Sequence, residues 1–219
     1  MAVGMVRTLK ILIRQWQRSL FKSSDLCSIL FTWVTGRHPV YFSTSIKKTL
    51  KGKLLADGLC FIGIFSNKIA LDPKARGQFR IGKGGFVRLG NNIRIARGCT
   101  IFINGKLSIG ENSYIQPNAN IVANNEISIG KNCAISWNFQ ALDNDLHTLM
   151  IDGTESIKSK KILIGDKVLI GVNTIILKGS EIGNHCVVAS GSVVSGIFPD
   201  NVLIGGVPAK IIRQNVNWN

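Results

Sequence analysis

Acidic residues are scarce in this chain. Its 219 residues hold 12 Asp and Glu against 27 Lys and Arg, a formal net charge of +15. That balance favours an anionic partner, whether membrane surface, phosphorylated cofactor, nucleic acid or acidic polymer. Proline is also rare, at 5, while 45% of residues are hydrophobic, which argues against disorder. No run of 18 apolar residues occurs, so a spanning helix is not expected; "DLCSILFTWV" (25–34) is too short. A signal-peptide layout is missing too, because Arg7, Lys10, Arg14 and Arg18 are spread through the apolar residues instead of preceding them. The 5 cysteines (Cys27, Cys60, Cys99, Cys133, Cys186) are odd in number, scattered and without a CxxC pair. A disulfide framework or zinc site is therefore not expected, and a reducing, cytoplasmic location is.

What the chain does have is a repeat. "GFVRLGNNIRIARGCTIFIN" (85–104), "GKLSIGENSYIQPNANIVAN" (105–124) and "NEISIGKNCAISWNFQALDN" (125–144) align without gaps. The pattern returns at 161–194 with a spacing of 18. Three aliphatic columns follow, six residues apart within each coil: Leu89, Ile109, Ile129, Ile164, Ile182; Ile95, Ile115, Ile135, Ile170, Val188; and Ile101, Ile121, Ala141, Ile176, Val194. A glycine column (Gly90, Gly110, Gly130, Gly165, Gly183) trails the first, as if to supply the backbone angles of a corner. Six residues make a short strand and a bend, and three such sides close a triangular coil whose aliphatics stack inward about 4.8 Å apart. The periods match no helix. The expected fold is all-β, a parallel β-helix over 85–213 with a tail at 214–219.

The repeat, read as [LIV]-G-x-x-[small]-x, and the ending "ASGSVVSGIFPDNVLIGGVPAKIIR" (189–213) resemble the left-handed β-helix acyltransferases of the hexapeptide-repeat family, in the maltose and galactoside acetyltransferase branch. The resemblance covers roughly 80–213. It implies the left hand, since crossovers between parallel strands are otherwise nearly always right-handed.

Residues 1–34 differ. Met5, Val6, Leu9, Leu12, Ile13, Trp16 and Leu20 share one face of a helical wheel, with Arg7, Lys10, Arg14, Arg18 and Lys22 opposite. Such a helix either caps the open end of the solenoid or lies, through residues 1–22, on an anionic membrane at its inner face. Residues 35–84 are expected as irregular first coils. Within them, "GQFRIGKG" (77–84) approaches a phosphate-binding loop, but Gly84 stands where Ser or Thr should bind magnesium, and no helix follows.

The rhythm breaks at "ALDNDLH" (141–147), opening an excursion over 142–161. Long loops on regular scaffolds tend to carry function. His38 and His185 read as solvated surface residues. Three separated histidines also speak against the three-His zinc sites of gamma-class carbonic anhydrases, and no metal is expected. His147 sits in the excursion, where the resembling family carries its catalytic histidine, and the "DNDLH" spacing is similar to that of polysaccharide O-acetyltransferases. The resemblance implies His147 as general base, taking the proton of an acceptor hydroxyl as it attacks the thioester of acetyl-CoA. Asp143 and Asp145 either orient the imidazole or hold substrate, or else cap the loop as Asx residues. Trp137, with Gln116 and Asn138, is expected near the acceptor.

Carried over coil by coil, the donor's contacts fall at Val172, Ser190, Ser195 and Gly196, with Lys210 and Arg213 near its phosphates. Gly196 replaces a lysine common in relatives, and Leu169 a tryptophan. The expected protein is a homotrimeric O-acetyltransferase for a sugar or acidic glycan of capsule or lipopolysaccharide type, with no nucleic-acid partner. The alternatives are a soluble small-sugar O-acetyltransferase, an N-acyltransferase of a nucleotide-linked amino sugar, or a non-catalytic hexapeptide scaffold.

Overall fold

Inward aliphatics every six residues wind the chain into a triangular coil. The computed structural model describes residues 40–65 and 75–218, and every regular element among them is a strand. The expected helix over 1–34, with Cys27 and His38, lies outside the described residues. Three sheets of nine, seven and seven strands, here A, B and C, form the sides. The chain visits them in turn, and successive coils pair in parallel. This is the left-handed parallel β-helix.

All three aliphatic columns stand in register and extend at both ends. Sheet A stacks Ile62, Ile95, Ile115, Ile135, Ile170, Val188 and Ile204. Phe79 begins the sheet B column and Phe198 ends that of sheet C. Nearly all of these side chains are buried, each contributing about 1.5–3 kcal/mol relative to exposure. Two further inward columns flank the edge between sheets B and C: Ile81–Ile103–Ala123, and Val87–Leu107–Ile127–Ile162. The first accounts for the change of period: the longer coils before the excursion carry that inward position as an extra, whereas the second column continues into the 18-residue coils through buried Ser180.

The glycine column has a different cause from the one expected. None of its members has a positive φ. A Cβ on Gly110 would lie 2.6 Å from the Gly130 carbonyl carbon, and one on Gly130 2.4 Å from the Gly165 oxygen, so close approach of neighbouring coils demands glycine. The left-handed backbone falls two residues later, at Asn92, Asn112, Asn132, Lys167 and His185 (φ 53–59°). Asn tolerates that conformation better than most residues, and Asn92 donates to the Asn112 side chain of the next coil (3.0 Å). His185 is thus a corner residue, occupying an asparagine's place.

The described part of 35–84, expected as irregular, already runs in the three sheets: Val40–Phe42 and Cys60–Phe65 in A, Ile46–Leu50 and Gly77–Ile81 in B, Lys53–Ala56 in C. An irregularity does appear where the register to the next coil shifts between Ile62 and Phe65. At the other end, Ala209–Arg213 folds back antiparallel on Leu203–Gly206. The tail beyond is tied down, with the Trp218 indole N–H donating to the Lys167 carbonyl (2.8 Å) and the Val216 N–H to that of Asn201 (2.8 Å).

Candidate functional site

The excursion leaves sheet B after Gln140–Leu142 and rejoins sheet C at Ile162–Ile164. Asp143 is its first residue and is fully buried, because it continues the inward column Ile103–Ala123. One coil below, the N–H groups of Asn104 and Gly105 both donate to the Ala123 carbonyl (2.9 Å each). The matching carbonyl of Asp143 is engaged elsewhere, accepting from the Lys160 N–H (3.0 Å) and the Ser159 hydroxyl (2.9 Å). Its carboxylate substitutes, accepting the Asn124 and Asn125 N–H groups at 2.8 Å each. Burial pushes the Asp143 carboxyl above its usual range, against the pull of those amides. The residue therefore closes both feet of the loop and makes no hydrogen bond to His147.

Asp145 is likewise a fastening. Its carboxylate pairs with Lys178 of the following coil, whose ammonium also donates to the Ile157 carbonyl, clipping the two arms of the loop together. Of the two readings left open for these aspartates, the geometry favours loop anchoring. An Asx turn follows, with the Leu146 N–H donating to the Asn144 side chain (2.6 Å) and Leu146 at φ 63°. Beyond it, Met150–Ile151 and Thr154–Glu155 pair antiparallel around Asp152–Gly153, both at positive φ, a type I′ hairpin. The Asp-Gly dipeptide signals that turn in the sequence. Lys178 gave no such signal, because its partner lies 33 residues away.

His147 stands between the Asx turn and the hairpin. It is exposed, and no described residue hydrogen-bonds its imidazole. Around it the loop presents Leu146, Leu149, Met150, Ile151 and Ile157, all exposed and up to 64% accessible at Met150.

The other candidates stand elsewhere on the solenoid. Gln116, Trp137 and Asn138 stack on the edge between sheets A and B, beneath Val172 and Ser190. Gln116 is buried and Trp137 half-buried. Asn138 donates to the Asn173 side chain (2.9 Å), and the Ser190 hydroxyl accepts the Val172 N–H (3.1 Å). Ser195 and Gly196 lie on the B–C edge above the loop. Gly196 is at φ 122° with open space where a Cβ would be. Lys210 and Arg213 are exposed on the final hairpin. Within one chain the structure brings Trp137, Asn138, Gln116, Val172 and Ser190 to one edge and His147 to the other, with sheet B between.

The third edge, between C and A, carries a groove of about 510 Å³. Its charges are largely self-paired, Arg88 with Asp57 (3.3 Å) and Lys131 with Glu111 (3.4 Å). Among the described residues no three His, Cys, Asp or Glu gather as for a metal, and no helix is long and apolar enough to cross a membrane.

Residues 161–196 match the family model described as bacterial transferase hexapeptide (six repeats). A protein of Escherichia coli (strain K12) bearing the name lipopolysaccharide biosynthesis O-acetyl transferase WbbJ is 46% identical over 59 residues. That match covers 27% of this chain and 30% of the relative. Among solved structures, the polySia specific acetyltransferase NeuO aligns over 81% of this chain and 88% of its own, with TM-score 0.56 and 21% identity. AntD, an N-acyltransferase from Bacillus cereus in complex with dTDP and 3-hydroxybutyryl-CoA, aligns over 84% and 87%, with TM-score 0.53 and 18% identity. The chain thus carries a hexapeptide-repeat segment at 161–196 and is similar in fold, a left-handed β-helix, to these acetyl- and acyltransferases.

Proposed function

We propose that the protein is a CoA-dependent O-acetyltransferase that acetylates a sugar hydroxyl in a glycan of capsule or lipopolysaccharide type. The observation that carries this reading is His147, an unengaged imidazole held outward by a loop fastened at three points to a rigid solenoid. A base must reach a substrate lying across flat coils, and among the described residues the excursion is the segment that projects from them. Pre-set loop geometry also leaves little motion to arrest before reaction.

In the proposed chemistry, the neutral imidazole accepts the acceptor hydroxyl's proton while the oxygen attacks the thioester carbonyl carbon. Backbone N–H groups hold the oxyanion of the tetrahedral intermediate. Collapse breaks the carbon–sulfur bond, and the thiolate leaves with the proton that the imidazolium returns. Base catalysis of this kind contributes about 10²–10⁴-fold. The cysteines are unsuited to carry the acyl group. Those described are buried, and burial pushes the Cys99 thiol up to about 12.

The residues proposed for the donor suit it in kind. Ser195 and Gly196 leave open backbone on the B–C edge, and Lys210 and Arg213 offer cations to its phosphates. A homotrimer supports the same reading. Threefold packing sets the loop at the upper end of one chain's B–C edge, with His147, against a neighbour's A–B edge, with Trp137, Asn138 and Gln116, and leaves the lower coils of the B–C edge open. It also covers the apolar loop side chains. A cytoplasmic location suits buried free thiols.

The test is acetyl-CoA turnover with a panel of glycan acceptors, followed by released thiol. His147→Ala should lose at least 100-fold in kcat with little change in acetyl-CoA affinity. Light scattering should give three times 23.9 kDa. Near-normal turnover in His147→Ala, or a stable active monomer, refutes this reading.

A further inference from the structure

The B–C edge carries more than the loop. Followed down the solenoid from His147, it passes Asn124 and Asn104 and then becomes cationic, with Lys83 in the turn between Gly77–Ile81 and Phe86–Leu89, and Lys51 one coil lower. Arg80 flanks it on sheet B, Lys53 and Lys106 on sheet C. All five are exposed, and none pairs with a carboxylate among the described residues. Neighbouring acids offer little opposition. Asp57 is held by Arg88, Asp143 is buried and Asp145 is held by Lys178. Among the described residues, Glu126, in register with Lys106, is the one carboxylate beside the cations. Lys53 rests over the Phe86 ring (5.9 Å), which limits its wandering.

Surface cations left unpaired repel one another and are usually dispersed. Here they are aligned, and the line ends at the loop bearing the proposed base. Four coil steps separate the strand Ile46–Leu50 from Gln140–Leu142, a span of about 19 Å at 4.8 Å per coil. A single sugar cannot reach from one end to the other. A flat bilayer would meet a ridge only one or two side chains wide. An extended polyanion matches the line in shape and sign.

We infer that this edge is a binding track for the acceptor, an anionic polysaccharide bearing carboxylate or phosphate groups, that feeds one hydroxyl to His147 while several further units lie on the cations. The inference rests on the acetyl-transfer reading for its direction along the edge, but the track itself is a binding surface and is testable without turnover. It makes the acceptor a polymer, acetylated within the chain or at its end, and not a free sugar.

The test uses the full-length protein and the variant Lys51→Ala/Arg80→Ala/Lys83→Ala, all at exposed positions. Labelled polygalacturonate and poly(glycerol phosphate) of graded length serve as carboxylate and phosphate probes, and dextran as the neutral control. Wild type should bind one or both anionic probes, with affinity rising until the probe exceeds about 19 Å, and should ignore dextran. The variant should bind at least 10-fold more weakly and with a flatter salt dependence. His147→Ala should bind the probes as wild type does, which separates the track from the base: turnover retained in His147→Ala refutes the base and leaves the track standing. Failure of wild type to bind either polyanion, equal binding to dextran, or equal binding by the variant overturns the track. So does a variant that loses only anionic vesicles while keeping the polysaccharides, which would make the patch a membrane contact. Circular dichroism matching wild type assures that the variant is folded, and Lys83→Glu provides a single-site check.

Discussion

Replacing Asp143 with Asn changes one oxygen to an NH₂ group at the point where the excursion begins. Both carboxylate oxygens now accept a backbone N–H at 2.8 Å, from Asn124 and Asn125, in a fully buried setting. Asn keeps one acceptor and turns a donor toward the other N–H. The loss is one hydrogen bond to a charged group, about 1.5–3 kcal/mol, plus a stranded buried donor at about 1–3 kcal/mol. Relief from burying a charge offsets part of this, since burial already pushes the Asp143 carboxyl up. A net destabilisation of about 2–4 kcal/mol is expected, a large share of the roughly 5–15 kcal/mol of a typical domain. Guanidinium unfolding measures the total, and amide hydrogen exchange at Asn124 and Asn125 locates it. Exchange there should accelerate by about 30-fold or more, at 1.4 kcal/mol per factor of ten. The loop foot loosens with it, so proposed turnover should fall even though Asp143 lies away from the imidazole. If Asp143→Asn unfolds within about 0.5 kcal/mol of wild type and both amides exchange as before, the carboxylate is not the substitute acceptor described above.

In a Cys27→Ser background, the native protein should leave Cys60, Cys99, Cys133 and Cys186 unreactive to a thiol reagent at pH 8 and expose all four on unfolding; a fast native thiol would contradict their burial. Burial pushes Cys60 up to about 11 and Cys99 to about 12 from 9.0, so above pH 9 the unfolded chain ionises while the folded one keeps its protons, and stability should fall by roughly 1.4 kcal/mol per pH unit per thiol. Lys178→Ala should release the two arms of the loop and speed proteolysis within 149–157, leaving the solenoid's thermal midpoint within a few degrees; an unchanged cleavage rate would deny the clip. Lys210→Ala/Arg213→Ala should raise the KM for acetyl-CoA without altering folding, and an unchanged constant would remove both residues from the proposed donor site.

The solenoid was legible because its cause is periodic. A buried aliphatic every six residues leaves the same mark in sequence and in space, and all three columns stand in the register their spacing implied. The flanking columns were harder to read: that through Ile103 occurs only in the longer coils, where two extra residues resemble slack, and that through Leu107 turns from aliphatic to Ser180 after the excursion. The glycine column was seen but misattributed. Its positions record how closely the next coil approaches, which no single coil's sequence expresses. Around His147 the sequence marked the break but not its fastening. Asp143 needs the neighbouring coil's unsatisfied amides to explain it, and Lys178 becomes relevant only once the coils stack.

Strand pairing passes the excursion as though it were not there. Ile127 pairs with Ile162 and Gln140 with Ile175, so the ladder skips from one coil to the next across the whole of 143–161. The scaffold therefore has no stake in what the excursion contains, provided its first residue offers a buried acceptor and its last returns to sheet C. Evolution has a socket here. A different hairpin between Leu142 and Ile162 would meet the same coils and the same cationic edge, so that under the proposed acetyl transfer the acceptor preference can be rewritten in under twenty residues while the rest of the molecule is inherited unchanged.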